Sequence, residues 1–186
     1  MHEFDNSTIA QVAERLSLCI VPEGDAKVAS KWWWFEVRGV KIYCYNFAWR
    51  RKAIAHHDLH HIVTGYPSTL IGEMQVATWE FAAGRYPNIF ATLFCLPLVA
   101  VGVAIVPKKV WRAFVNGWHS RSLFSTPVTS ELLSMKFMDL REQTTGPPKP
   151  DQRWSIAGSF FALVGLSAAL IVLPLLIGAR ILIAAL

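Results

Sequence analysis

Hydrophobic and polar positions along the chain change rhythm several times, and each change marks a new element. Thr8-Ile9-Ala10-Gln11 has capping-box spacing. Ile9, Val12, Ala13, Leu16 and Ile20 then recur with helical period, which predicts an amphipathic helix over 8–20 closed by Pro22-Glu23-Gly24-Asp25. Between Lys31 and Phe47 the period shortens to two. Val40, Ile42 and Cys44 alternate with Lys41, Tyr43 and Tyr45, and Arg38-Gly39 supplies a two-residue turn, the pattern of a β-hairpin. Its run Trp32-Trp33-Trp34-Phe35 suits either a core–surface split or an interfacial aromatic belt. Asn46 is the expected N-cap of a following helix through the histidines. A helix over 69–83 then shows an apolar stripe of Leu70, Met74, Ala77 and Phe81, with Glu73 and Glu80 on its border and Gly84 as its C′ stop.

The second half is more apolar. Asn88–Val106 is apolar for about eighteen residues, interrupted by Pro97 and Gly102, at the lower limit for a membrane span. A buried or monotopic helix is the favoured reading there. Trp111–Ser125 reads as partly helical, and a lone His119 within it as an ordinary histidine. Thr126-Pro127 has the form of a helix start, with Val128, Leu132, Leu133, Met135, Phe137, Met138 and Leu140 as one apolar face. Ile156–Ala179 is twenty-four residues without a charge, about 36 Å as a helix against about 30 Å of bilayer hydrocarbon. The expected organisation is therefore mainly α: a helical domain over 1–145 with a short hairpin near its N-terminus, a Pro-rich linker over 146–153, and a transmembrane anchor over 154–186.

Composition supports that division. The chain has 186 residues, 53% hydrophobic, with net charge +5 and a pI near 9.3. Lys108, Lys109 and Arg112, with Lys149 and Arg153, flank the two apolar runs, where they suit anionic lipid headgroups. No nucleic-acid motif accompanies them, so a membrane and not a nucleic acid is the expected partner. Lys149 and Arg153 place the start of the anchor, and the domain before it, on the cytoplasmic side. Cys19, Cys44 and Cys95 lack any disulfide or CxxC spacing, consistent with a reducing compartment. Glu3, Asp5 and Glu14 argue against a signal or transit peptide in the first twenty residues.

The densest chemistry lies in His56-His57-Asp58-Leu59-His60-His61, where four of the six histidines fall within six residues. On a helix His57, His60 and His61 share one arc, and Asp58 sits off its edge. Thr64-Gly65-Tyr66-Pro67 is a tight turn that would fold the helix carrying Glu73 back on the first. Two imidazoles and a carboxylate would give a three-ligand metal site with open positions for water or substrate. Three chemistries compete. One is a metal site of His57, His61 and Glu73. Another borrows zincin logic, with Asp58 as general base, one methylene shorter than the glutamate found there. A membrane di-iron oxygenase needs more histidines than this chain carries. Histidines that merely face solvent are the bland alternative.

His57-Asp58-x-x-His61, eleven intervening residues and Glu73 resemble the signature of the ubiquinone-biosynthesis family known as Coq-four. His61-Ile62-Val63-Thr64-Gly65-Tyr66, Gly72-Glu73, Asn116-Gly117 and Asp139-Leu140-Arg141-Glu142 are similar to it as well, and the likeness covers roughly 46–145. The Trp-rich hairpin and the C-terminal anchor lie outside that pattern. The resemblance implies a mostly helical fold. It implies a divalent metal, zinc first with iron or manganese as alternatives, held by His57, Asp58, His61 and Glu73 beside a channel for a polyprenyl chain. It also implies removal of the C1 ring carboxylate from a prenylated benzoate, a quinone precursor, in company with other quinone-biosynthesis enzymes. In such a site the metal acts as a Lewis acid, and Asp58 or His60 donates a proton or orients a ligand imidazole. The competing expectations are a membrane-anchored scaffold or lipid-binding protein with a structural metal, and a metal-dependent hydrolase with Asp58 as base. Structural zinc sites usually close all four positions, often with cysteine. The cysteines here lie away from the motif, which favours an open, reactive site.

Overall fold

The computed structural model describes residues 4–184 apart from 19, 21, 23–30, 38–39, 85, 87 and 147–152. The order of elements is α1 (Ile9–Arg15), β1 (Trp32–Val37), β2 (Val40–Tyr45), α2 (Ala48–Thr64), α3 (Leu70–Ala83), α4 (Ile89–Ile105), α5 (Pro107–Trp118), α6 (Ser130–Ser134), α7 (Phe137–Thr144) and α8 (Arg153–Ala184). The expectation of a mainly helical chain with one hairpin and a long apolar C-terminal helix holds. The chain divides into two compact units, residues 1–65 with 123–144 and residues 66–122 with 145–186.

In the first unit the capping box forms as its sequence requires: the Thr8 side chain accepts from Gln11 N, and the Gln11 side chain accepts from Thr8 N. α1 nevertheless stops at Arg15 instead of 20. Ser17 takes a left-handed φ of 56°, and Leu18 N turns back to Ala13 O. β1 and β2 pair antiparallel with Trp32 opposite Tyr45 and Val37 opposite Val40; the Arg38-Gly39 turn and the Glu23–Asp25 breaker lie outside the described residues. Asn46 does not cap α2. The N-cap is Phe47, without a side-chain bond, and the Asn46 carboxamide oxygen instead accepts from Arg50 Nη1 at 2.9 Å.

The helix expected from Thr126-Pro127 starts three residues later, where the Thr129 side chain accepts from Leu132 N. It also breaks in two. Ile9 N donates to Met135 O and Phe137 N to Ser7 O, an antiparallel bridge of Thr8 with Lys136. Met135 goes extended to make that pairing, which no helical periodicity reveals. α1 packs on α2 and α6, and α2 on α7, around a core that includes Ile9, Leu59, Ile62, Val128, Phe137 and Leu140.

In the second unit α3 lies against α4 and α5, α4 against α5 and α8, and α5 against α8. Met74, Val110, Phe114, Ile156 and Phe160 form the core. Of the expected stripe on α3, Met74 and Ala77 are buried, but Leu70 is 65% exposed. Gly84 does end α3, yet its φ of 178° is extended. A Cβ there would collide with Ser122 Oγ, so close approach and not a left-handed turn explains the glycine. α5 begins at Pro107, earlier than expected, with the proline in its first turn.

Of the expected linker only Gly146 and Arg153 fall within the described residues. Thr145 is bridged to Ser120, and Gly146 N donates to His119 O at 3.2 Å. α8 is 32 residues long. Its stretch Arg153–Ile181 is long and apolar enough to cross a membrane. Its first turns are not a detached tail, for Phe160 meets Trp111 and Phe114 edge-to-face at ring separations of 5.0 and 5.2 Å.

Candidate metal centre

The four clustered histidines of α2 sort into two pairs spaced i, i+4, which point to different surroundings. His56 and His60 are both fully buried. The ring nitrogens of His56 lie 2.8 Å from Lys52 O and 2.9 Å from Thr126 O. His60 Nε2 accepts the Leu123 N–H at 2.8 Å. Both rings also meet Phe124, that of His60 edge-to-face at 4.9 Å. This pair fastens the irregular segment 123–126 to α2. His60, expected as a proton donor or as an orienter of a ligand imidazole, uses Nε2 to accept a backbone N–H inside the core.

His57 and His61 form the second pair. His61 is buried to 2% exposure and His57 is half-buried. Their Nε2 atoms are 3.2 Å apart, and their ring planes cross at 82°. Two nitrogens each about 2.05 Å from a tetrahedral zinc ion lie about 3.3 Å apart, so the separation fits two ligands of one ion. The same separation suits one N–H···N hydrogen bond. A single proton and a single ion therefore compete for the same lone pairs. α2 closes beyond them on Gly65, whose φ of 71° is left-handed and whose N–H returns to His61 O.

Glu73 belongs to the second unit, in the first turn of α3, where the helix dipole favours a carboxylate. Thr69 caps that turn: its side chain accepts from Gly72 N at 3.3 Å, and its carbonyl accepts from Glu73 N at 2.8 Å. Gly72 lies so close to Pro67 that a Cβ would overlap the proline carbonyl. Tyr66 fixes the start of this segment by accepting a hydrogen bond from Asn116 Nδ2 at 3.2 Å. Burial raises its phenol above the ordinary range, partly offset by that Asn116 bond. Tyr66 and Asn116 stood in the sequence as family-like text, with nothing to pair residues fifty positions apart.

His57, His61 and Glu73 form a group that could hold a metal ion. Asp58 is not a member of it. One position past His57 means a rotation of about 100° around the helix, so Asp58 stands beside the metal-holding group and not within it. Glu80, expected on the stripe border, is fully buried, and the Tyr86 hydroxyl donates to its carboxylate. Burial and then the Glu80 charge hold the Tyr86 phenol well above its ordinary range.

No protein-family model, curated protein or solved structure matches this chain.

Proposed function

We propose that this chain is a membrane-associated protein that holds one divalent metal ion, zinc first, through His57, His61 and Glu73, and removes the ring carboxylate of a prenylated aromatic acid. The observation that carries the metal assignment is the 3.2 Å between the two Nε2 atoms. The prenylated substrate rests on the resemblance of His57-Asp58-x-x-His61 and Glu73 to the Coq-four signature, and on the apolar α8 that suits a protein working at a lipid surface.

An ion bound there supplies Lewis-acid chemistry, with positions left open for a substrate carboxylate or phenolate. The chain's own residues do the rest. His57 and His61 present their imidazoles from successive turns of one helix, and the burial of His56 and His60 fixes that helix in place. Glu73 adds the negative charge that a pair of imidazoles lacks. Asp58, half-buried beside His57, is the proposed proton donor: as the ring–carboxylate bond breaks and CO₂ leaves, its proton goes to the electron pair left on the ring carbon.

Elemental analysis of the detergent-purified chain beside His61→Ala is the first test. Near-stoichiometric metal in the parent, lost in the variant, is the expected result, followed by CO₂ release from a prenylated hydroxybenzoate that Asp58→Asn abolishes. Metal-free parent protein would overturn the assignment and leave a membrane-anchored scaffold or lipid-binding protein. Metal without turnover would leave the ion and remove the decarboxylase.

A further inference from the structure

α4 carries an exposed apolar stripe along its length. Phe90, Leu93, Phe94, Val101 and Ile105 are between 38 and 66% exposed along its length, while Ala91, Leu96, Val99 and Gly102 are buried on the other side. A solvent-facing stripe of this kind, unbroken by a charge from Ile89 to Val106, is the mark of a face that meets something apolar. α4 also packs on α8, which has exposed apolar residues of its own, Phe161 at 69% and Leu166 at 59%.

The ends of the two helices carry the complementary signal. α5 follows α4 directly and exposes Lys108, Lys109, Trp111 and Arg112 in its first two turns. Arg153 and the 92% exposed Trp154 open α8. The Trp111–Phe160 contact ties the start of α5 to α8 about two turns past Arg153. Tryptophan with Lys and Arg beside an apolar span is the composition of a bilayer interface, and the positive charge selects anionic headgroups. With 17 residues, α4 is about 25 Å long, too short to cross about 30 Å of hydrocarbon unaided. It is long enough to lie in the bilayer beside a helix that crosses.

We propose that the exposed face of α4 is embedded together with α8 in an anionic bilayer, so that the second unit is held in the membrane by a helix pair and not by one tail. This holds whether or not the metal assignment stands, because it uses no residue of that group.

The test places a benzophenone photocrosslinking residue in the full-length chain at Phe94, at Phe161 as the α8 reference, and at exposed Arg121 as the aqueous reference. The protein is reconstituted in vesicles of phosphatidylcholine with phosphatidylglycerol, irradiated and read by mass spectrometry. Lipid adducts at Phe94 and Phe161, and none at Arg121, are expected. Chain-to-chain crosslinks at Phe94 without lipid adducts would overturn the proposal in favour of a second copy as the occupant. No adduct of either kind at Phe94, with lipid adducts at Phe161, would overturn it too, leaving α8 as the sole anchor.

Discussion

Replacing His60 separates the two histidine pairs. His60→Ala removes the acceptor of the Leu123 N–H inside the core and an edge-on contact with Phe124, an expected loss of about 2–4 kcal/mol by urea unfolding. Metal content of the folded fraction should stay near the parental value, whereas His61→Ala should lose metal with a smaller loss of stability. His60→Gln, whose carbonyl oxygen can accept the same N–H, should recover part of the stability. Equal metal loss in both variants would mean the pairs are not distinct. Tyr86 gives the pH counterpart. Its phenol is raised above the ordinary value of 10.0, so its contribution is fully present below that pH and is lost as pH rises toward the folded value. Tyr86→Phe should cost about 1–3 kcal/mol at neutral pH by removing a donor to buried Glu80, and should flatten the parent's alkaline destabilisation above about pH 10. An alkaline limb unchanged by the substitution would show that another group titrates. At this scale the sequence revealed the residue types and the i, i+4 spacing of His57 and His61. It could not reveal that His60 accepts the Leu123 N–H, because Leu123 lies sixty-three positions away and follows no period.

Elements were legible where a local bond defines them. The Thr8–Gln11 capping box forms, as do the hairpin and the end of α2 at Gly65, because each needs residues only a few positions apart. The region after Thr126 was not legible, since Met135 leaves the helix to bond Ile9 across the unit. An N-cap and a proline were present at Thr126-Pro127, and tertiary pairing outweighed them. The segment before α3 offers the sharpest test at this scale. Gly72→Ala would place a methyl against the Pro67 carbonyl, a backbone atom that cannot swing aside as a side-chain tip can. An expected loss of about 2–3 kcal/mol follows from overpacking. Because Glu73 is the next residue, the capped first turn should shift and metal affinity should fall in competition with a fluorescent chelator. Undiminished affinity in a folded Gly72→Ala protein would show that Glu73 is not set by this turn.

For the molecule as a whole, the mainly helical class and the C-terminal apolar helix followed from composition and run length, which survive any error in element boundaries. The division of the chain into its two compact units did not, because the two take alternating stretches of the sequence. A single substitution decides whether α8 works in lipid or in water. Leu166 is 59% exposed and near the middle of Arg153–Ile181. In water, arginine there would be an ordinary surface residue, nearly neutral in stability and favourable for solubility. In a bilayer, a charge at the helix centre costs about 2.5–3.5 kcal/mol on insertion scales, roughly a hundredfold in partitioning. Leu166→Arg is therefore expected to shift the chain from the carbonate-resistant membrane fraction toward the soluble or degraded fraction. Leu166→Ala, which removes apolar area without adding charge, should remain in the membrane. If the arginine variant stays in the membrane fraction as firmly as the alanine variant, this part of α8 does not lie in the hydrocarbon, and the placement of α4 beside it fails with it.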